Sequence, residues 1–387
     1  MAPHRGSTNM TDRRLRVALL APLVSPIRQP YLGGAQALLR DLAVTLAKRG
    51  HDVTLYAATG SDPAALPDVR LREIMVEASQ LRPGDFSGTL REATPSMDSA
   101  MEAAFAAAYA AIATHASEHD LIHAHAYDLP SFMLGAAQAL PIAHTLHMPD
   151  LHASISAALS TLAPFDKART PSQPWLITVS QWCAETYNGT CRIDKVIPNG
   201  VDLEAIPFGA RPADPPYLLF AGRIAPEKGA ADAIAIARAA GYPLLLAGGI
   251  YDQTYFHQRI QPWLEAEPDA LQFLGPLPHE RVWSLMAGAT AVLVPSHWEE
   301  PFGLAACEAQ AAGTPVIVYA RGGLRDIVAD GETGALVARG DITAAAASVL
   351  DVARLDRRAC RERAAERFTL ERMAAAHERL YQRMLDA

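Results

Sequence analysis

The sequence predicts an α/β protein made of two Rossmann-like halves. Short apolar runs, each of the length of a buried strand, alternate with helical segments along nearly the whole chain. Several of these runs end in glycine-rich turns that lead into a helix, and this is where parallel sheets bind ligands. A proline-rich stretch typical of an interdomain linker separates the halves. Its prolines are Pro207, Pro212, Pro215 and Pro216.

Composition limits the possible classes of function. The chain has 387 residues, enough for two or three domains, and a formal net charge of −8. This acidic balance argues against nonspecific nucleic-acid binding and against a broad basic surface for anionic membranes. No apolar stretch approaches the ~20 residues of a membrane span, and the four cysteines have no C-x-x-C spacing. We therefore expect a cytoplasmic protein with reduced thiols, without a transmembrane segment and without a nucleic-acid partner.

The first half begins with a polar, basic tail at residues 1–14, which we expect to be disordered. A strand at residues 15–21 follows, then a proline-rich loop that ends in Gly33 and Gly34, then a helix at residues 37–49. A glycine pair at a helix N-terminus favours a phosphate, although a tight turn with positive φ needs the same residues. The G-x-G-x-x-G fingerprint of dinucleotide-binding proteins is absent.

Histidines stand at the ends of the next two predicted strands. His123 and His125 lie on one face of the strand at residues 120–125, because side chains alternate along a strand. His147 ends the strand at residues 141–147. No carboxylate or cysteine completes a metal site at ligand spacing. A single histidine is usually a hydrogen-bonded structural residue, whereas two at a strand end that faces a cleft favour a function.

The rest of the first half contains one helix and one strand that the pattern defines well. We predict the helix at residues 129–140 and the strand at residues 175–180, with Ser180 capping the helix that follows. Residues 150–173 are the least regular part. The Asn199-Gly200 pair favours a sharp turn before the linker.

The second half opens with a strand at residues 217–221 and a turn at residues 222–229. This turn contains Arg223 and Lys228. Two cations in a strand-to-helix loop neutralise a diphosphate without a metal, Arg through its fork geometry and Lys as a mobile point charge. A solvated basic turn would contain the same two charges.

The stretch at residues 295–308 carries most of the information in the second half. It follows a buried strand and leads into a helix, so it forms a turn at the carboxyl end of a parallel strand. Pro301 suits the first turn of that helix. The backbone amide groups of Phe302, Gly303 and Leu304 then face an anion, which Gly303 allows to approach closely.

Two carboxylates flank this anion site, although both repel a phosphate. Glu300 precedes the helix and Glu308 lies on it, with seven residues between them. A nucleotide sugar accounts for both carboxylates. Glu308 would accept hydrogen bonds from ribose hydroxyls and Glu300 from sugar hydroxyls, while the backbone holds the diphosphate. Two solvated glutamates on an ordinary strand–helix unit are the alternative.

Two motifs together resemble a known family. The segment at residues 300–308 is similar to the E-x7-E motif of retaining glycosyltransferases of family 4, and residues 222–229 are similar to their G-R-x-x-x-x-K-G motif. The resemblance implies the GT-B fold, with a nucleotide-sugar cleft between two Rossmann-like domains. It implies an acceptor-binding domain at residues 15–207, joined by a terminal helix at 370–387, and a nucleotide-sugar-binding domain at 208–369.

The resemblance also implies roles for single residues. His125 would lie near the transferred sugar, and the glycine pair would face the donor diphosphate from the first domain. The backbone of Leu277 would lie against the nucleobase. The family usually has Glu where this chain has Gln36, whose amide still accepts a hydrogen bond. The implied catalytic residues are His125, Arg223, Lys228 and Glu300, and the implied donor-binding residues are Gly33, Gly34, Leu277, Phe302, Gly303, Leu304 and Glu308.

The activity implied by the resemblance is transfer of a sugar from a nucleotide-diphosphate sugar to an acceptor hydroxyl. It would proceed with retention of anomeric configuration, without a metal or another cofactor. Carbohydrate, lipid-linked and natural-product acceptors all fit. Two alternatives share the fold: a phosphosugar epimerase or phosphorylase, and a non-catalytic nucleotide-sugar-binding relative. The missing dinucleotide fingerprint disfavours an oxidoreductase.

Overall fold

The computed structural model describes residues 13–29, 31, 34–76 and 95–387, with side chains from residue 99 onward in the last range. Within these residues the backbone forms two separate parallel β-sheets, one in each half of the chain. The first sheet contains β1 (Arg16–Leu20), β2 (Asp52–Ala58), β3 (Arg70–Ile74), β4 (Leu121–Ala124), β5 (Ile142–Leu146), β6 (Trp175–Thr178) and β7 (Lys195–Val196). The second contains β8 (Leu218–Ala221), β9 (Leu244–Ala247), β10 (Leu271–Gly275), β11 (Ala291–Val294), β12 (Val316–Tyr319) and β13 (Gly334–Val337).

Helices cover both sheets. Those of the first half are α1 (Gly34–Lys48), α2 (Pro95–Thr114), α3 (Leu129–Gly135), α4 (Ala153–Leu162) and α5 (Gln181–Thr186). Those of the second half are α6 (Ala230–Ala240), α7 (Gln253–Tyr255), α8 (Gln261–Ala266), α9 (His279–Gly288), α10 (Leu304–Ala311), α11 (Leu324–Ile327), α12 (Ile342–Val352) and α13 (Arg357–Arg367). The last helix is α14 (Leu370–Asp386).

Strand order explains where ligands bind. The first sheet has the order β3-β2-β1-β4-β5-β6-β7 and the second has the order β10-β9-β8-β11-β12-β13. The order reverses between β1 and β4 and again between β8 and β11. Open α/β sheets bind ligands beyond the carboxyl ends of the strands at such reversals. Residues 222–229 follow β8, and residues 295–308 form the loop after β11 and the start of α10, so both predicted motifs lie at the reversal of the second sheet.

The terminal helix packs on the first half of the chain. Met373, Leu380 and Tyr381 of α14 are buried in one apolar cluster with Leu19 of β1 and Leu42 of α1. Because the apolar face of α14 is covered by the first sheet and its helix, the chain end belongs structurally to the half in which it began.

Two chain crossings lie side by side between the halves. Val201, in the turn after β7, pairs with Thr369 as an isolated parallel bridge. A side chain on Gly200 would lie 2.7 Å from the carbonyl oxygen of Thr369 and 2.8 Å from the Cα of Leu370. The predicted Asn199-Gly200 turn is therefore the point at which the outgoing and the returning chain touch.

Several predicted elements are confirmed and some are corrected. The strand at 291–294 is β11, and Ser180 caps α5 by accepting a hydrogen bond from the Cys183 amide. The helix predicted at 129–140 ends at Gly135, because a turn leads directly into β5. Strand β3 was not predicted, since an edge strand with alternating charges has no apolar run.

Other sequence-based expectations concern the tail, a glycine and the thiols. Residues 1–12 of the predicted tail and Gly33 lie outside the residues that the structure describes. The four cysteines are free and buried, as predicted. Among the helices of the described residues, none is long and apolar enough to cross a membrane.

Candidate functional site

The two motif loops of the second half form one continuous surface. Gly229 has a φ of 74°, and a side chain there would collide with the carbonyl oxygen of Pro295. The amide of His297 donates a hydrogen bond of 2.8 Å to the carbonyl of Glu227. The loop after β8 is therefore held against the loop after β11, and the glycine that ends the first motif is required by this close approach.

The charged residues of these loops form ion pairs with each other. Lys228 Nζ lies 2.6 Å from Glu300 Oε1, and Ser296 Oγ donates to the same oxygen at 2.9 Å. Arg223 Nη2 lies 3.3 Å from Glu227 Oε1. Only 11% of the Glu300 side chain and 23% of the Lys228 side chain are exposed. Each cation is therefore positioned by a carboxylate, which fixes its charge at the carboxyl ends of β8 and β11.

The N-terminus of α10 lies beside these ion pairs. The helix begins at Leu304, after Gly303, whose φ is 108°. Pro301 therefore precedes the helix and does not lie in its first turn, which corrects the sequence-based expectation. A side chain on Gly303 would lie 2.5 Å from Leu324 Cδ2, so contact with α11 also requires a glycine. Phe302 is buried against Phe368, with ring centroids 5.6 Å apart.

Glu308 lies one turn into α10 and bonds to α9. Trp283 Nε1 donates a hydrogen bond of 3.1 Å to Glu308 Oε1. Burial raises the pKa of Glu308 to about 7, the Trp283 hydrogen bond opposes this shift, and the nearby charge of Asp41 adds to it. Asp41 belongs to α1, so a carboxylate of the first half faces Glu308 across the cleft. Leu277, predicted to contact a nucleobase, lies half-buried just before α9.

The first half reaches the α10 terminus through α1. A side chain on Gly34 would lie 2.7 Å from Leu304 Cδ1. The ring of Tyr31 lies 5.8 Å from that of His279 in α9. Gly34 and Leu304, predicted as donor-binding residues of opposite domains, are therefore brought together.

A group of histidines fills the carboxyl end of the first sheet. His125 Nδ1 lies 3.0 Å from His147 Nε2. His123 bonds to the Tyr381 hydroxyl and to Thr145 Oγ1, both at 2.7 Å. Burial, with repulsion by His147 as a smaller cause, holds the pKa of His125 well below its usual value, and burial lowers that of His147 to about 4. These imidazoles are therefore neutral near pH 7 and act as hydrogen-bonding groups.

One ring nitrogen of His125 is buried and, among the described residues, unpaired. His125 is 3% exposed, and its Nε2 has no hydrogen-bond partner among the described residues. His377 of α14 also enters the group, with its ring centroid 5.2 Å from that of His123. Sequence reasoning missed His377 and Tyr381, because only folding brings the terminal helix to β4.

For most of these ion pairs and hydrogen bonds, the sequence analysis named only one of the two partners. It named Lys228 and Glu300 without pairing them, and it named Arg223 without Glu227. It missed Ser296 and Trp283 altogether. The spacing of Ser296 from Glu300 within one loop was an available signal, whereas nothing local links Trp283 to α10. Among the described residues, no three His, Cys, Asp or Glu side chains are grouped so as to hold a metal ion.

Comparison with known proteins identifies the family. The model of "Glycosyltransferase Family 4" matches residues 32–205, and that of "Glycosyl transferases group 1" matches residues 203–367. The chain is 30% identical to the glycogen synthase of Mycobacterium tuberculosis over 90% of this chain and 91% of that protein. It is 33% identical to the D-inositol 3-phosphate glycosyltransferase of Mycolicibacterium smegmatis over 84% of this chain and 81% of that protein.

Solved structures match the architecture over almost the whole chain. Sucrose-phosphate synthase from Thermosynechococcus elongatus superimposes with a TM-score of 0.74 at 24% identity, covering 97% of this chain and all of that one. The Anabaena protein HepE, solved in complex with UDP and glucose, gives a TM-score of 0.69 at 20% identity, covering 95% and 99%. The two parallel sheets with their helices are the GT-B fold, as the sequence predicted.

These findings define the class of protein. A two-domain GT-B fold has its motif loops at the strand-order reversal of the second sheet, and the family models and relatives cover both domains. The chain belongs to glycosyltransferase family 4, and it is a glycosyltransferase.

Proposed function

We propose that this protein transfers a sugar from a nucleotide-diphosphate sugar to an acceptor hydroxyl, with retention of configuration and without a metal. The observation that carries the proposal is the pairing of Arg223 with Glu227 and of Lys228 with Glu300 beside the N-terminus of α10. Support for the donor class comes from HepE, which was solved with UDP-glucose. Support also comes from the position of Glu308 on α10, one turn beyond the helix N-terminus.

The proposed donor site uses both motif loops. The diphosphate lies between the two cations and the first amide groups of α10, where the helix N-terminus favours an anion. Glu308 accepts hydrogen bonds from the ribose, and Glu300 accepts them from a sugar hydroxyl. Because Lys228 contacts Glu300, the Lys228 side chain connects the diphosphate leaving group to the carboxylate that binds the sugar. Two fixed cations supply the charge that a bound metal supplies in other sites, which is why we propose that a metal is not needed.

The proposed chemistry occurs on one face of the sugar. The bond between the anomeric carbon and the phosphate oxygen breaks, and its electron pair stays on the diphosphate. The acceptor oxygen forms the new bond on the same face and its proton passes to the leaving phosphate oxygen. Lys228 and Arg223 stabilise the charge that develops there. In other enzymes, removal of one such donor lowers the rate about 10²–10³-fold. His125, which directly follows β4, is the residue of the first domain that we place near the transferred sugar.

The first test is thermal unfolding of the purified protein with UDP, GDP, ADP and dTDP, with and without EDTA. A nucleotide at ~100 times its dissociation constant stabilises a protein by about 2.7 kcal/mol. We expect one nucleotide to raise the melting temperature equally in both conditions. A shift that EDTA abolishes would contradict metal independence, and no shift with any nucleotide would contradict the donor class.

The second test determines the stereochemical outcome without a known acceptor. The nucleotide sugar that carries the stabilising base is incubated with a large amount of enzyme, so that water slowly takes the acceptor position. Proton NMR then identifies the anomer released first, before mutarotation. Retention predicts the anomer of the donor. The inverted anomer would contradict the same-face mechanism, and binding without any hydrolysis or transfer would favour a non-catalytic relative.

A further inference from the structure

The glycine turn after β12 connects the Glu300 loop to the first domain. Gly322 has a φ of 56°, and a side chain there would collide with the backbone of Glu300. A side chain on Gly323 would lie 2.6 Å from the Pro301 carbonyl oxygen, and the Gly323 amide donates to the Glu300 carbonyl at 2.7 Å. Arg321 also pairs with Glu299 at 2.7 Å. The turn and the Glu300 loop therefore move as one body.

Two hydrogen bonds join this body to α5 of the first domain. Asp326 Oδ2 accepts a hydrogen bond of 3.1 Å from the backbone amide of Trp182. Ser180 Oγ donates one of 2.5 Å to the Pro301 carbonyl, while accepting one of 3.0 Å from the Cys183 amide. Ser180 is 3% exposed. Both contacts exist only while the domains are together, and the carboxylate makes the first one charge-assisted.

The amide of Trp182 has a specific need for this partner. It lies in the first turn of α5, where backbone amide groups have no acceptor within the helix. Ser180 satisfies the neighbouring amide of Cys183 from within the first domain. Trp182 instead receives its acceptor from the second domain, so this amide of α5 is satisfied only when the domains are in contact.

From these contacts we propose that Asp326 and Ser180 are positioning residues, which set the Glu300 loop in its working geometry when the domains close. Asp326 lies on α11 and Ser180 before α5, and Pro301 directly follows the glutamate that pairs with Lys228. Domain contact is thereby transmitted through the backbone of residues 300–303 to the Lys228–Glu300 ion pair. The inference rests on the proposed transferase function for its kinetic consequence, but its structural part stands without it.

The kinetic test compares Asp326→Ala with Asp326→Asn and with Asp341→Ala. Asp341 is the matched control, because it accepts a hydrogen bond of 2.9 Å from the Ala344 amide at the start of α12, within the second domain. We expect Asp326→Ala to lower kcat about tenfold or more, since a hydrogen bond to a charged group is lost. The dissociation constant of the nucleotide product should change less than about threefold, because that ligand binds mainly to the second domain.

Rescue and coupling distinguish positioning from general stability. Asp326→Asn retains an acceptor for Trp182 and should keep kcat within about threefold of wild type. Asp326→Ala combined with Ser180→Ala should lose little more than the larger single effect, because both residues serve one contact. A kcat for Asp326→Ala equal to that of Asp341→Ala would overturn the proposal, as would full additivity of the two alanine substitutions.

The structural test does not depend on turnover. Nitroxides are attached at Ser160→Cys in the first domain and at Glu265→Cys in the second, both exposed, while the four native cysteines are buried. Double electron–electron resonance should show a broader or longer distance distribution in Asp326→Ala but not in Asp341→Ala. An unchanged distribution would overturn the proposal. If the wild-type protein turns over no donor, the proposed function fails, and this measurement still decides the role of Asp326.

Discussion

At the scale of single residues, the site is defined by which charges are paired. Lys228 and Glu300 are each ordinary loop residues in the sequence, but in the structure they form a largely buried pair. Such a pair adds little to the free energy of unfolding, because the cost of desolvating the two charges offsets their attraction. Its value lies in orientation, because the ammonium group is held beside the α10 terminus.

Replacement of Lys228 tests this charge directly. We expect Lys228→Ala to lower kcat/KM by about 10²–10³, because the leaving diphosphate loses one fixed cation. The measurement is steady-state nucleotide release, with circular dichroism and thermal unfolding to verify folding. Lys195→Ala is the control, since Lys195 is exposed on β7. Near-normal turnover in Lys228→Ala would remove the residue from the diphosphate site.

The pKa of Glu308 predicts how stability depends on pH. Burial raises this pKa from 4.5 to about 7, so the folded state binds the proton more tightly than the unfolded chain does. Between these two values unfolding releases a proton, and the free energy of unfolding therefore falls as pH rises through this window. Above pH 7 the penalty is constant. Glu308→Gln lacks an ionisable group and should escape it.

Urea denaturation at pH 5, 6, 7 and 8 measures this effect. We expect Glu308→Gln to gain roughly 1–3 kcal/mol relative to wild type between pH 5 and 8. Asp41, whose pKa burial also raises, remains in both proteins, so its contribution largely cancels. Glu332→Gln, at an exposed position, is the control. A constant difference between Glu308→Gln and wild type across the four pH values would contradict the proposed burial of this carboxyl group.

At the scale of elements, the site depends on loops that cannot change shape. Gly229 and Gly303 end or begin the two motif loops, each with positive φ and each against another element. The first touches Pro295 and the second touches Leu324. The loops after β8, β11 and β12 therefore interlock, and the loop that leads into α10 is fixed by the loop after β8 and by α11.

Gly303→Ala tests this interlocking, with Gly340→Ala as the matched control. Gly340 has a φ of 78° and open space around it, so alanine there costs only the backbone penalty of about 1–2 kcal/mol. At Gly303 the added carbon would also lie 2.5 Å from Leu324 Cδ2. We expect the free energy of unfolding to fall by about 2–4 kcal/mol in Gly303→Ala. If chemical denaturation gave the same loss of free energy of unfolding in both variants, the contact of Gly303 with Leu324 would add no constraint.

At the scale of the whole molecule, two arginines of α13 fasten residues 203–209, which lead into the linker and form its start, to the second domain. Arg361 donates hydrogen bonds to the carbonyls of Leu203 and Ile206, at 2.5 and 2.9 Å. Arg357 is buried and donates to the carbonyl of Gly209 at 2.5 Å. Because the linker is bound to one domain, we expect movement between the domains to occur at the turn where Gly200 meets the returning chain.

Hydrogen exchange measures how tightly the linker is held. We expect Arg361→Ala to accelerate exchange of the Ile206 and Gly209 amides about tenfold, since two carbonyl contacts of the linker are lost. These amides bond to the carbonyls of Asp202 and Ala312 in the native protein. Arg358 is exposed and lies about one helical turn before Arg361, so Arg358→Ala should leave the exchange rates unchanged. Equal protection in both variants would indicate that other contacts hold the linker.

The two-sheet α/β plan and most of the motif residues were predictable from the amino-acid sequence alone. Strand β11 was predicted within its observed bounds, because a short apolar run ends at a proline. Arg223 and Lys228 were predicted because both lie in a short turn that begins and ends with a glycine. Strand β3 was missed for the opposite reason: its pattern of charges at a sheet edge contains no local signal of burial.

The tertiary structure decided which of these residues act on each other. Lys228 and Glu300 are 72 positions apart and Asp326 and Trp182 are 144 apart. Neither spacing has a periodicity that a sequence pattern can express. Such contacts arise because parallel strands distant in the chain end at the same sheet edge, and because the terminal helix returns to the first domain. The sequence therefore predicted individual site residues, whereas their contacts with one another depended on the path of the chain.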